Sequence, residues 1–259
     1  MPVLYVVGTP IGNMEDVTLR ALRVLGEVGV IAAEDTRTTR KLLTRHGIQA
    51  KLVSYHKFSG EGRVHALTQT LETQDVALVT DAGMPAISDP GYDLVLAAIR
   101  AGVTVVPIPG PSAPVAALAA CGLPTEQVVF TGFLPRKPAD RRRTLLEWQN
   151  ETRTMVCFEA PHRLRKTLAD MAAALPDRPL AVCRELTKLH EEIYRGSAVT
   201  ALEYFNAPRG EITLVIGGAG LSAATYWQAE PEAGPVAAAE PAGRYRRPKA
   251  ARNLPEPRT

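Results

Sequence analysis

The stretch VALVTDAGMPAISDPGYDLVLAAIRAGVTVVPI (residues 76–108) reads as strand, loop, helix, strand. Residues 76–80 and 103–108 are short valine-rich runs, and 92–102 carries its apolar residues at helical spacing. Two such strands joined through a helix make a βαβ unit, whose strands lie parallel. Between the first strand and the helix stands DAGMPAISDPG (81–91), built from small side chains, two acids and two prolines. A turn alone needs only about two to six residues. A backbone so constrained is expected where a small molecule lies against the chain, because glycine lets the main chain approach and proline stiffens it.

The alternation extends in both directions. Strands are expected over 3–7, 28–34 and 51–55, and helices over 16–28, 36–47 and 62–72. In the first helix Asp16 is the expected N-cap, with Leu19, Leu22 and Leu25 on one stripe. Residues 109–124 read as a loop and a small-residue helix leading to a second unit. That unit holds 127–134, 140–149, 154–160, 162–175, 180–186 and 210–218. The fold class is therefore α/β, in two α/β domains. Residues 1–115 form an N-terminal domain with a mostly parallel sheet flanked by helices. Residues 116–218 form a C-terminal domain whose short connections imply a mixed sheet. Residues 219–259, rich in Ala, Pro and charge without apolar periodicity, are expected to be a disordered basic tail.

Composition narrows the class. The 259 residues are 46% hydrophobic, enough for a sizeable core. No apolar run approaches the ~20 residues needed to span a bilayer, so a soluble cytoplasmic protein is expected. Cys121, Cys157 and Cys183 are odd in number, far apart and set among apolar neighbours, which implies buried reduced thiols and no metal site. The net charge is +3, and six of the 30 Lys/Arg with four of the 27 Asp/Glu lie from Ala219 onward. The body is nearly neutral, so any nucleic-acid contact must come from local clusters.

Three strand ends of the first domain are rich in Gly and Pro: GTPIGN (8–13), DAGMPAISDPG (81–91) and PGPSA (109–113). In open α/β sheets, ligands sit beyond the carboxyl ends of the strands. One such loop is an ordinary turn, but three point to a cofactor held mainly by backbone groups. The dinucleotide fingerprint, the P-loop and the nucleophile elbow are all absent. The residues alone thus give a small-molecule site between two α/β domains.

The ordered series VVGTPIGN, AAEDTR, ALVTDAGMPAISDPG, PIPGPSA, FTGFLPRK, CFEAPHRL, CRELTKLHEEIYRG and GEITLVI resembles the ribosomal RNA small subunit methyltransferase I family. These are cytidine 2′-O-ribose methyltransferases of the tetrapyrrole methylase superfamily. The resemblance spans about residues 3–218. It implies S-adenosylmethionine in the cleft between the domains, against Pro10, Ile11, Gly83, Met84, Pro85, Ile87, Ser112 and Ala113, with Ala160 and Thr213 from the second domain. It also implies a homodimer acting on a cytidine of small-subunit (16S) ribosomal RNA, within the assembled 30S subunit. The chain departs from the family pattern at Met84, where Thr is usual, and at Ser59, where Asn is usual. It also carries the Ala/Pro-rich stretch where many members have a small helical domain.

Methyl transfer to a ribose hydroxyl needs in-line positioning and a proton acceptor. Candidates in the matched motifs are Glu34 with Asp35, Glu159 with His162, and Glu185 with Lys188. Glu159 is favoured, since it ends a strand beside an expected cofactor contact. Its alternative is to cap the following helix. Candidate RNA contacts are Arg37, Arg40, Lys41 and Arg45 on one helix, Arg142 within RKPADRRR, and His162 and Arg163 within HRLRK. Any one of these clusters alone reads equally as a solvated face. Tyr55, His56 and Phe58 are placed to stack on an extruded base, Tyr55 also reading as ordinary core. Two other readings stay open: a tetrapyrrole methylase of the same fold, and an RNA- or ribosome-binding protein without turnover.

Overall fold

The computed structural model describes residues 2–228, so residues 229–259 of the tail expected over 219–259 lie outside the described residues. Five strands form the first sheet: β1 (Val3–Val7), β2 (Val30–Ala33), β3 (Lys51–Ser54), β4 (Val76–Val79) and β5 (Thr104–Ile108). All neighbours are parallel, in the order β3-β2-β4-β1-β5. Side-chain alternation explains why the central strands are apolar throughout. Ala77 and Val79 of β4 pack with residues of helices α1 (Leu19–Glu27) and α2 (Thr36–Arg45) on one face. Val76 and Leu78 pack on the other, with α3 (Glu61–Thr70) and α4 (Tyr92–Arg100).

Helix α5 (Ala113–Cys121) ends at Gly122, whose φ of 78° is the left-handed cap that glycine takes without strain. The second sheet follows, from β6 (Val128–Phe133), β7 (Thr154–Glu159), β8 (Leu180–Arg184), β9 (Glu192–Gly196) and β10 (Ile212–Ile216). Its order is β6-β7-β10-β8-β9, with β6 and β7 parallel and the other pairs antiparallel, the mixed sheet that was expected. Helices α6 (Pro138–Glu147), α7 (Pro161–Ala174) and α8 (Ala198–Tyr204) cover one face. The other face packs on α5 and on Ile11 and Ala82, which come from loops of the first sheet. The three cysteines are buried and unpaired, as expected.

Three local expectations need correction. Helix α1 is capped by Thr18, whose side chain accepts from the Ala21 N–H, while Asp16 ends a separate 3-10 turn capped by Asn13. Its buried stripe is accordingly Ala21, Val24, Leu25 and Val28, and Leu19 is left 86% exposed. Strand β9 and helix α8 have no counterpart in the sequence reading. β9 is a half-exposed edge strand carrying charge, and α8 is short, held by a Ser197–Thr200 capping box. Ordered structure also runs past Ala219 to helix α9 (Ala223–Tyr226). There Tyr226 donates to the Gly122 carbonyl at 2.9 Å and Trp227 to the Gly196 carbonyl at 2.9 Å, so two aromatics anchor a segment of poor composition.

The order β4-β1-β5 sets the three Gly/Pro-rich loops side by side. Thr9 and Gly83 exchange backbone hydrogen bonds at 3.0 and 3.1 Å. Gly8 and Gly110 pass so closely that a Cβ on Gly8 would lie 2.7 Å from the Gly110 Cα. Gly8→Ala is expected to cost about 1–3 kcal/mol of stability through this backbone clash. Gly62→Ala, inside α3 with open space around it, is expected to gain about 0.5–1 kcal/mol. Urea unfolding of the two variants checks both.

Candidate active site

A cavity of about 370 Å³ opens between the two sheets. The first sheet supplies Ile11 from the loop after β1, residues 82–84 and 87–89 from the loop after β4, and Ser112 to Pro114 at the start of α5. The second sheet supplies Phe133, residues 158–161, and Gly210 to Thr213. Of the ten positions expected to meet a cofactor, Ile11, Gly83, Met84, Ile87, Ser112, Ala113, Ala160 and Thr213 line this cavity. Pro10 lines an adjoining cavity of about 270 Å³, and Pro85 is buried and lines neither. A Cβ on Gly8 would meet the Met84 sulfur at 2.7 Å, so the thioether fills the space above that glycine where the family pattern has a hydroxyl.

The loop after β4 is strained. Ala86 and Ser88 take φ of 68° and 63°, left-handed values that cost side-chain-bearing residues energy. Gly91 follows at 147°, and a Cβ there would sit 2.9 Å from the Ala86 nitrogen. The Ala86 N–H donates to the Pro90 carbonyl at 3.2 Å, closing the loop on itself. Strain of this kind persists where the surroundings over-determine the backbone, and it clusters at functional sites.

A second strained loop, after β8, meets the loop after β1. Glu185 and Thr187 take φ of 53° and 66°. Thr187 Oγ1 accepts from the Asn13 N–H at 3.0 Å, tying this loop to the one after β1. Gly12 permits the approach, since a Cβ there would lie 2.5 Å from Lys188 Cγ.

The four carboxylates first considered as bases have different surroundings. Glu159 shares the parity of Met155 and Cys157 along β7, so its side chain points toward α7, away from the cleft. It is 2% exposed, accepts from the Thr167 hydroxyl at 2.5 Å and the Ala160 N–H at 2.7 Å, and pairs with Arg163 at 3.1 Å. These donors occupy its acceptor positions and tie the end of β7 to α7, while the N-cap of α7 is Ala160. Glu185 accepts from Lys188 at 2.8 Å and from the Glu211 N–H at 2.9 Å, and the lysine's hydrogen bond holds it below the usual range. Glu34 accepts from the Asp81 N–H at 3.3 Å, while Asp81 accepts from the Asp35 N–H at 3.2 Å, a reciprocal link between the ends of β2 and β4. Burial raises Glu34, though it lies outside the cavity wall. Asp35 caps α2 and is held at about 2 by Arg37.

Asp89, in the strained loop, was not singled out from the sequence. It lines the cavity half-buried, and burial first, then the charges of Glu34, Asp81 and Glu211, raise its carboxyl to about 6. The signal in the sequence was its place between Ser88 and Pro90, which reads equally as turn chemistry.

The basic candidates also divide. Arg37, Arg40, Lys41 and Arg45 line a shallow groove on α2, with Arg37 held by Asp35 at 2.7 Å. Arg142 and His162 are exposed. Arg163 is not free for RNA, because it pairs with Glu159 and donates to the carbonyls of Leu134 and Pro135. Tyr55 belongs to the core, whereas Phe58 is 86% exposed beside His56. Ser59 accepts from the His56 N–H at 2.9 Å, so the residue in the Asn place closes a turn.

The chain and its fold have counterparts among known proteins. The family Tetrapyrrole (Corrin/Porphyrin) Methylases matches residues 3–201, and the chain belongs to it. A uroporphyrin-III-C-methyltransferase from Thermus thermophilus shares the fold with a TM-score of 0.60 and 25% identity, over 84% of this chain and 94% of that one. A further structure of the Thermus thermophilus enzyme, complexed with S-adenyl homocysteine, gives a TM-score of 0.60 at 20% identity, over 84% and 97%. Within the family the chain falls among the ribosomal RNA small subunit methyltransferases I. It is 51% identical to the protein of that name from Halalkalibacterium halodurans, over 84% of this chain and 76% of that one. The Synechocystis protein of the same name is 49% identical, over 85% and 80%.

Two substitutions test these environments. Glu159→Gln is expected to lower stability by about 3 kcal/mol, since it strips a largely buried guanidinium of its counter-charge. Asp89→Asn is expected to act in the opposite direction. With its carboxyl raised, the folded state holds a proton that the unfolded chain releases between about pH 4 and 6. This group's contribution therefore falls as pH rises through that window and stays low above it. Allowing for solvent screening at a half-exposed site, the variant is expected to gain about 1–2 kcal/mol at pH 7 and nothing below pH 4. Urea midpoints measured against pH for wild type and both variants decide this.

Proposed function

We propose that this protein transfers a methyl group from S-adenosylmethionine to the ribose 2′-oxygen of a cytidine in small-subunit (16S) ribosomal RNA. One observation carries the reading: the inter-sheet cavity gathers eight of the ten positions that the family resemblance assigns to the cofactor. The chain's 51% identity to a protein named ribosomal RNA small subunit methyltransferase I supports small-subunit ribosomal RNA as the substrate.

The cavity's residues suit that cofactor. Ala82, Gly83, Ala113 and Ala160 leave room beside an apolar wall completed by Ile11, Phe133 and Phe158, where an adenine ring and a methylene chain would rest. The carboxylate of Glu211 on the same wall suits its positive charge. When bound, S-adenosylmethionine supplies a methyl group carried on a sulfonium. The protein's share is then to hold the ribose hydroxyl in line, exclude water and accept a proton.

The adjoining cavity offers the approach for the RNA. It shares Ile11, Ala82 and Glu211 with the main one, and its outer wall is Thr38, Thr39 and Leu42 of α2. The exposed Arg40 and Lys41 on that helix would meet phosphates, and Phe58 offers a face for stacking. The assembled 30S subunit as substrate, a homodimer and a cytoplasmic location complete the proposal. They are carried over from the family resemblance, and no helix of the described residues is long and apolar enough to cross a membrane.

The test incubates the purified protein with S-adenosylmethionine and small subunits lacking the modification, followed by mass spectrometry of the digested RNA. The expected product is 2′-O-methylcytidine. Cofactor binding by calorimetry without this product would point instead to a tetrapyrrole substrate. Absence of both would point to a binding protein. In the active system, Arg40→Glu with Lys41→Glu is expected to raise KM for the subunit about tenfold or more. Cofactor affinity should stay unchanged, with the salt dependence of RNA binding shallower by about two.

A further inference from the structure

We propose that Asp89 is the catalytic base that takes the proton from the attacking ribose hydroxyl. The proposal rests on the functional reading above and adds the one group that reading leaves unassigned.

Three carboxylates line the main cavity: Asp89, Glu159 and Glu211. Glu159 turns toward α7, where its oxygens are taken up by Thr167, Ala160 and Arg163. Glu211 pairs with Lys188 at 3.0 Å. Asp89 takes part in no ion pair among the described residues, and no backbone N–H donates to its carboxyl. The Thr80 hydroxyl faces it, 2% exposed and with no other hydrogen-bond partner. A carboxylate that served the fold would carry charged or backbone donors, as Glu159 and Glu185 do. Asp89 has instead three like charges around it: Glu34 at the end of β2, Asp81 at the end of β4, and Glu211 ahead of β10. This is an unfavourable position for stability, held in place by the left-handed residues Ala86 and Ser88 and by Gly91.

The chemistry balances. The hydroxyl O–H bond breaks and its proton passes to an Asp89 oxygen. The oxygen's electron pair forms the new bond to the methyl carbon, and the sulfur–methyl pair stays on sulfur. The products are the methyl ether and a neutral thioether, and the proton later leaves Asp89 for solvent. A carboxyl raised to about 6 by burial and by Glu34, Asp81 and Glu211 is a stronger base than an ordinary aspartate, and it is still largely ionised at pH 7.

The test is single-turnover methylation of small subunits by wild type, Asp89→Asn and Asp89→Glu from pH 5 to 9. Calorimetry with S-adenosylmethionine and urea unfolding run beside it. Asp89→Asn is expected to lose roughly 10²–10⁴ in rate while remaining folded and binding the cofactor within a few-fold of wild type. The wild-type rate should climb with unit slope to a plateau, with an apparent pKa near 6. Asp89→Asn should lose that limb and Asp89→Glu should keep it at a reduced rate. An Asp89→Asn variant within about threefold of wild type, or one that keeps the limb, overturns the assignment and leaves the functional reading standing. A wild type that binds cofactor yet gives no 2′-O-methylcytidine overturns the functional reading, and the role of Asp89 falls with it.

Discussion

The backbones of Gly8 and Gly110 run so close together that neither has room for a methyl group. This contact brings the ends of β1 and β5 together, and the Thr9–Gly83 hydrogen bonds add the end of β4. Three loops then act as one surface. The start of α5, the strained turn around Asp89 and the Ile11 contact with the second sheet all take their positions from it. Larger residues at Gly8 or Gly110 would splay the strand ends, and the cavity floor would open with them.

The chemistry of the site follows from how carboxylates are distributed over that surface. Most acids near the cleft have work in the fold. Asp35 caps α2, Glu34 and Asp81 link neighbouring strands, Glu159 anchors α7, and Glu185 holds Lys188 against the loop after β8. These pairings separate the acids that stabilise from the one that does not. An acid without a counter-charge among like charges lowers stability, and natural proteins tolerate that where activity needs it.

The architecture was legible because periodicity carries it. β4 is apolar at every position, since both of its faces are covered, and α4 repeats every three to four residues. The site's floor was legible through its glycines and prolines. What escaped depended on contacts between distant segments. β9 is an edge strand whose charged residues break the strand pattern, and α9 is held by two aromatics reaching Gly122 and Gly196. Asp16 looked like the cap of α1, yet Thr18, two residues on, has the backbone to do it. The role of Glu159 turned on side-chain parity along β7, and that of Asp89 on which acid lacked a charged or backbone donor. Spacing alone shows neither.

Ile11 has two neighbourhoods. It belongs to the apolar cluster that joins α5 and the second sheet, and it also forms part of the cavity wall. The joint between the sheets and the ligand site therefore share atoms. A molecule filling the cavity becomes part of that joint, completing apolar packing that the protein alone leaves open on one side. A cofactor seated there would in this sense be a structural member, and resistance to unfolding would rise with its concentration by mass action. The enzyme would then be most rigid when charged for reaction and would loosen as its spent cofactor departs.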